Sequence, residues 1–238
     1  MVASEPETKT PGAAAEAKRL LRLSRTGALA TLGRESGAPL TTWVGCASDF
    51  DGAPLFLLST LAQHTQNLAA DPRGSLLLAS PARRGDPLNH PRISLGGSIA
   101  PHLAPDARKR YLQRNPKAKL YASFQDFAIC RMRVESVHYN GGFGRAAALT
   151  PADLLTPEGD AAALIDAEQG LLAEVNDVDG GWAARFASLP IAKRAWRAIG
   201  VDAEGLDLAA GGFAERVDFG APAFDPTTWR RRLEEALA

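Results

Sequence analysis

The chain has 238 residues, 45% of them hydrophobic, enough for one large domain or for a medium domain and a small one with a sizeable core. Its formal net charge of +0 provides no excess of positive charge to draw nucleic acid or an anionic membrane surface, and no apolar stretch reaches membrane-spanning length. The two cysteines, Cys46 and Cys130, lie far apart and fit no CxxC spacing, the pattern of a reduced cytoplasmic protein. Residues 1–12 are polar, carry Glu5 and Glu7, and predict a disordered tail that is neither a secretory signal nor a membrane span. Thr10-Pro11 predicts a helix start, AAAEAKRLLRLSR places Ala17, Leu20, Leu21 and Ser24 at helical spacing, and Gly27 is expected to end the helix. Strands are expected at ALATLG (28–33), LTTWVGCASDF (40–50) and LFLLS (55–59), separated by turns at GAP and DGAP. A polar, helical segment follows, then strands SLLLAS (75–80) and RISLGGSIA (92–100). A helical stretch at 104–124 breaks near Asn115-Pro116, and DFAICRMRVESVHYNGG (126–142) reads as one long strand. Such short connections forbid parallel crossovers, so the pattern predicts an antiparallel, barrel-like α+β domain over 13–150.

Beyond 150 the pattern changes. Thr150-Pro151 predicts a helix cap, and Leu164, Ile165, Glu168, Leu171, Leu172 and Val175 recur at helical steps. The stretch AWRAIGVDAEGLDLAAGGFAERVDFG predicts a strand, a DAEG turn and a return strand, and Asp225-Pro226 opens a last helix. Residues 151–238 are expected to form a small α/β C-terminal domain.

The segment TLAQHTQN, wedged between LFLLS and a DPRG turn, gathers hydroxyl, amide and imidazole side chains at a predicted helix start. A helix N-terminus leaves backbone N–H groups unpaired and favours an anion. Ser59, Thr60, Gln63, His64 and Thr65 would add donors suited to a monophosphate. A plain polar cap on an exposed helix has the same composition. Other polar residues read as structural: Asp49 and Asp51 as solvated turn formers, and GGFGR (141–145) as a glycine-supported turn around a buried Phe143. His90, His102 and His138 show no metal-ligand spacing, and no metal site is expected.

From Gly27 to about Leu155 the chain resembles the FMN-binding split-barrel family that includes pyridoxamine 5′-phosphate oxidases, and most closely its haem-utilisation branch. The words that carry the resemblance are PLTTWV (39–44), SDFDGAPLFLLS, LAQHTQNLAADPRGSLLLAS, PRISLGGSIA and RYLQRNPKAKLYASFQDFAICRMRVESVHYNGGFGRA. The resemblance implies a split β-barrel with flanking helices and a cofactor site shared across a homodimer. It places His64 where the oxidases have a phosphate-contacting Lys and Gln63 where an Arg precedes it, so fixed charge is lost at both. It implies a polar contact to the phosphate or ribityl chain from Thr41 or Thr42, with Trp43 and Val44 bordering the ring, Ser59 on the next strand and Thr65 on the helix; Asn67 one turn on and Arg92 before a later strand are further candidates, with a backbone-bonding Asn and a solvated Arg as the plain alternatives. The C-terminal part resembles the small domain fused behind the haem-utilisation branch. That branch carries a His-Met-Asn-x-Asp-His run there; here the words are EVNDVD, Asn176 matches, and both histidines are missing.

Three functions stay open. The leading one is an FMN-dependent oxidoreductase acting on a small or planar molecule, with catalytic residues unassigned. The alternatives are a haem-binding or haem-degrading protein, for which His64 is the axial-ligand candidate, and a non-catalytic dimeric ligand-binding module.

Overall fold

The computed structural model describes residues 12–80, 85–157, 161–177, 182, 186 and 195–238. The chain forms two compact units, Met1–Leu155 and Thr156–Ala238. In the first, strands β1 (Thr26–Leu32), β2 (Pro39–Gly45), β3 (Ala47–Ser48), β4 (Pro54–Ser59), β5 (Arg73–Ala79), β6 (Arg92–Pro101), β7 (Phe127–Asn140) and β8 (Ala146–Leu149) make one antiparallel sheet. Its order is β2-β1-β5-β6-β7-β4-β3, with β8 on β7, and β2 packs back near β4. The architecture is α+β, a split barrel with flanking helices.

Alternation explains how the sheet closes on itself. β4 is apolar throughout because both faces are covered. Phe56 and Leu58 enter the barrel core with Leu29, Leu76, Leu78, Ile93, Leu95 and Met132. Leu55 and Leu57 face outward into a second cluster with Tyr111, Ala118 and Ile129, covered by α3 (Pro105–Arg114) and the 3-10 turn Pro116–Leu120. Helix α1 (Ala13–Leu23) adds Ala13, Ala17 and Leu21 to the barrel core, α2 (Gln63–Ala70) adds Leu68, and α4 (Pro151–Leu154) adds Leu154.

Several expectations are corrected. The Thr10-Pro11 helix start and the tail before it lie outside the described residues, and α1 opens after Gly12. Gly27 does not end α1. The helix ends at Leu23, and Gly27 sits inside β1 where a Cβ would press on Leu76 and Leu78. The expected strand 40–50 is two strands, because the chain changes partners: β2 pairs with β1, whereas Ala47 and Ser48 pair with β4. Asp49 and Asp51 are not solvated. Arg131 bridges them, its Nε 2.9 Å from Asp49 Oδ2 and its Nη2 on Asp51 Oδ2. Phe143 is not buried but 96% exposed, because left-handed Gly142 (φ 122°) and Gly144 (φ 70°) reverse the chain on either side of it and leave it at the tip.

In the second unit, α5 (Ala162–Asn176) and α6 (Pro226–Ala236) accompany an antiparallel sheet of β9 (Arg197–Asp202), β10 (Gly205–Ala210) and β11 (Phe213–Asp218). The sequence predicted two strands here. The third, β11, pairs with β10 after a turn at Gly211 (φ 60°). Buried Arg216 is held by Asp202, Asp207 and Asp218, so its charge is compensated within the sheet. Among the described residues no helix is long and apolar enough to cross a membrane.

Candidate functional site

Helix α2 begins three residues beyond β4, and the turn between them is a hydrogen-bonded device of its own. The Ser59 hydroxyl donates to Asp126 Oδ2 and accepts from Leu61 N–H at 3.1 Å, while Thr60 N–H donates to the Asp126 carbonyl at 2.8 Å. Ala62 caps the helix through its carbonyl, which accepts from Thr65 and Gln66 N–H at 3.0 and 3.1 Å, and no side chain caps the Gln63 and His64 N–H groups. Gln63 is exposed there, and the Thr65 hydroxyl is enclosed beside the turn.

His64 and Thr42 meet. Thr42 Oγ1 lies 3.1 Å from His64 Nδ1 and 3.5 Å from the Leu29 carbonyl. When the hydroxyl donates to Leu29 it accepts from Nδ1–H, which leaves Nε2 of His64 as a bare acceptor. Burial lowers the His64 pKa below its ordinary 6.5, so the imidazole is neutral at pH 7.

Asn67 and Val44 have structural work instead. Asn67 is buried, donates to Thr31 Oγ1 at 3.0 Å and accepts from Arg34 N–H at 3.1 Å, which ties α2 to β1 and the turn after it. Val44 packs in the barrel core. Trp43, one residue from each of Thr42 and Val44, points to the opposite face and is 72% exposed. Arg92 is not part of the α2 cluster. It opens β6 at the end that pairs with Ala79 and Asn140, whereas α2 runs into the start of β5, opposite Ser98.

Two charged residues that the sequence reading missed flank the cluster. The Asp126 carboxylate sits on Ser59, and Arg34 reaches the far side of α2, its Nη1 3.0 Å from Gln66 Oε1. Neither has a local sequence signal, because Asp126 is 67 residues from Ser59 and Arg34 is 32 from Gln66. In the second unit, Asn176 brackets β9: its amide donates to the Ala198 carbonyl at 3.0 Å and accepts from Ala198 N–H at 2.8 Å.

The outer face of the sheet is laid out by register. Trp43 stands opposite Ala28, Ala28 opposite Leu77, Leu77 opposite Ser94 and Ser94 opposite His138. This row crosses the whole open side of the barrel with mostly short side chains.

Residues 8–155 match the family described as CREG, beta-barrel. The chloroplastic heme oxygenase HOZ of Arabidopsis thaliana is 34% identical over 135 residues, 55% of this chain and 41% of that protein, so the chain spans under half of that relative's length. A structure of an Agrobacterium tumefaciens protein of unknown function is 36% identical, with 98% of this chain and 99% of the other covered and a TM-score of 0.79. A heme binding protein from Mycobacterium smegmatis is 29% identical over 97% of this chain and 98% of its own, with a TM-score of 0.58. With the match running from residue 8 to the last residue of the barrel unit, more than half of the chain, this chain belongs to the CREG beta-barrel family.

Proposed function

We propose that this protein binds haem, and that it does so as a homodimer. The likeness to the Mycobacterium smegmatis heme binding protein, which runs through both units, carries the reading. The chemistry of the α2 turn supports it over the flavin. A phosphate dianion at that helix start would meet a neutral Gln63, a neutral His64 and the Asp126 carboxylate beside Ser59, while the Arg34 guanidinium is engaged with Gln66 further along α2. Bound haem would supply the redox and oxygen chemistry. The oxygenase activity in the name of the Arabidopsis relative is proposed for this chain only as far as its first requirement, a bound haem.

FMN is the second reading. It rests on the uncapped first turn of α2, where backbone N–H groups, Thr65 and the Thr42–His64 pair would form the anion cradle. Exposed Trp43 on β2 supports the dimer, since a second copy laid over the outer face would cover it.

Parallel titrations of the purified full chain separate the readings. Hemin is expected to give a saturable Soret band distinct from free hemin, and FMN to show little fluorescence quenching. Saturable FMN quenching, with hemin showing only its free spectrum, would reverse the assignment.

A further inference from the structure

An iron porphyrin takes its axial ligand from His, Cys thiolate, Met or Tyr. Among the described residues most of these are closed off. Burial raises the Cys46 thiol to about 12 and the Cys130 thiol to about 11, so both stay protonated. Met132 is fully buried, Tyr111 and Tyr139 are buried phenols, and Tyr121, though 37% exposed, packs its ring 5.0 Å from Phe127 at the α3 end of the barrel. Of the histidines, His64 is turned toward Thr42 on the barrel side, His102 Nε2 lies 3.6 Å from Asp49 Oδ2, and His90 is half-buried and engaged in the turn before β6, its backbone N–H on the Pro87 carbonyl. His138 stands exposed on the outer face of β7, with no bonded partner among the described residues.

Its surroundings suit a flat dianionic macrocycle. His138 shares a row with Ser94 and Leu77, and the next row, Ser75, Gly96 and Ser136, is shorter still. A ring centred on axial His138 covers Ser94 one strand spacing, about 5 Å, away, and turns its rim toward Leu77 at two spacings, about 10 Å. Leu77 is 41% exposed at one side. Arg92 shares this outer face, two residues before Ser94 on β6 and opposite Asn140, itself two residues after His138. Its Nη1 donates to the Leu88 carbonyl at 2.8 Å, which fixes the guanidinium and leaves its other N–H groups for a carboxylate. The same bond draws in the turn carrying Leu88, 67% exposed. Asn89 in turn accepts from Phe143 N–H at 3.4 Å, so two exposed apolar tips stand together at this end of the sheet.

We infer that His138 is the axial ligand, and Arg92 the carboxylate partner, of an iron porphyrin laid on the outer face of β5–β7 against Leu77 and the Leu88–Phe143 tips. The inference rests on the haem reading above and names its ligand-bearing surface. A histidine supplies the iron bond from beneath the ring's centre, a guanidinium pairs a propionate, and the short side chains between them leave the underside of the ring clear.

The test uses the full chain with hemin, metal-free protoporphyrin IX and the dimethyl ester of that porphyrin, following absorbance and fluorescence, with circular dichroism as the fold check. His138→Ala is expected to lose the histidine-ligated spectrum, to weaken hemin about tenfold or more, and to regain the spectrum with added imidazole. Its affinity for metal-free protoporphyrin should be unchanged, because no iron bond is lost. Arg92→Gln should weaken metal-free protoporphyrin by about tenfold but leave the dimethyl ester alone. His64→Ala should keep the wild-type hemin spectrum. A wild-type spectrum and affinity in His138→Ala, or loss of the histidine signature in His64→Ala, overturns the assignment and leaves haem binding standing. A wild-type chain that fails to bind hemin removes the haem reading itself.

Discussion

His64 and Asn67 lie on the same helix and have different physical roles. Asn67 is buried with both ends of its amide bonded, to Thr31 and to the Arg34 backbone, so it positions α2 on β1. His64 is half-buried, and its charge state is set by that burial. With its folded pKa below the unfolded value, the unfolded chain binds more protons as pH falls below the ordinary 6.5. Stability is therefore lost as pH drops through that value and levels off below the depressed folded one. Replacing His64 by Gln keeps a polar contact for Thr42 and removes the titration. The variant is expected to lose about 1–3 °C less in Tm than wild type between roughly pH 7 and pH 5. Parallel Tm–pH curves for the two proteins would mean that His64 titrates as it does in the unfolded chain.

Among the elements, the β6–β7 ladder matters most, because it presents the outer face. Its register shifts between Gly96, opposite Ser136, and Gly97, opposite Val134, so Glu135 is an extra residue on β7. This bulge keeps Met132 and Val134 on the core side while His138 stays outside. Gly97 is what lets the strands approach, since a Cβ there would overlap the Arg133 carbonyl. Gly97→Ala must push β7 backbone aside and is expected to cost about 1–3 kcal/mol in urea unfolding. An unchanged denaturation midpoint would show that the bulge yields without cost. Helix α4 illustrates a cap read correctly in advance: Thr150 and Asp153 form a reciprocal capping box.

At the scale of the barrel, the outer side of the sheet is covered by α3 over β4 and open across the row from Trp43 to His138. Trp43 marks the open side near the free edge of β2, and His138 the other end of the same row, four strand spacings or about 19 Å away. A homodimer built on this side would enclose both. Light scattering over a dilution series is expected to give a dimer for wild type and a monomer for Trp43→Arg, with circular dichroism unchanged. A wild-type monomer at micromolar concentration would remove the proposal that two copies share the site.

Most of the barrel's strands, though not β8 or the break between β2 and β3, its antiparallel connections and the helix starts at Thr150 and Asp225 were legible in the sequence, because period-two and period-3.6 apolar patterns and caps are local. So was the polar character of the α2 turn. What each polar group does was not legible, because its partner arrives from a distant strand. Ser59 is taken by Asp126, Asp49 and Asp51 by Arg131, and Asn67 by Thr31. The expected convergence of Arg92 with the α2 residues ignored register, which places Arg92 at the other end of β6 and diagonal to His138 instead. The glycines around Phe143 correctly signalled a turn, but only the direction of that turn in space decided that the ring points outward. Local sequence sets which residues are strand or helix. Which strand comes next to which, and so which side chains meet, follows from the curl and register of the closed sheet, where burial is shared among segments far apart in the chain.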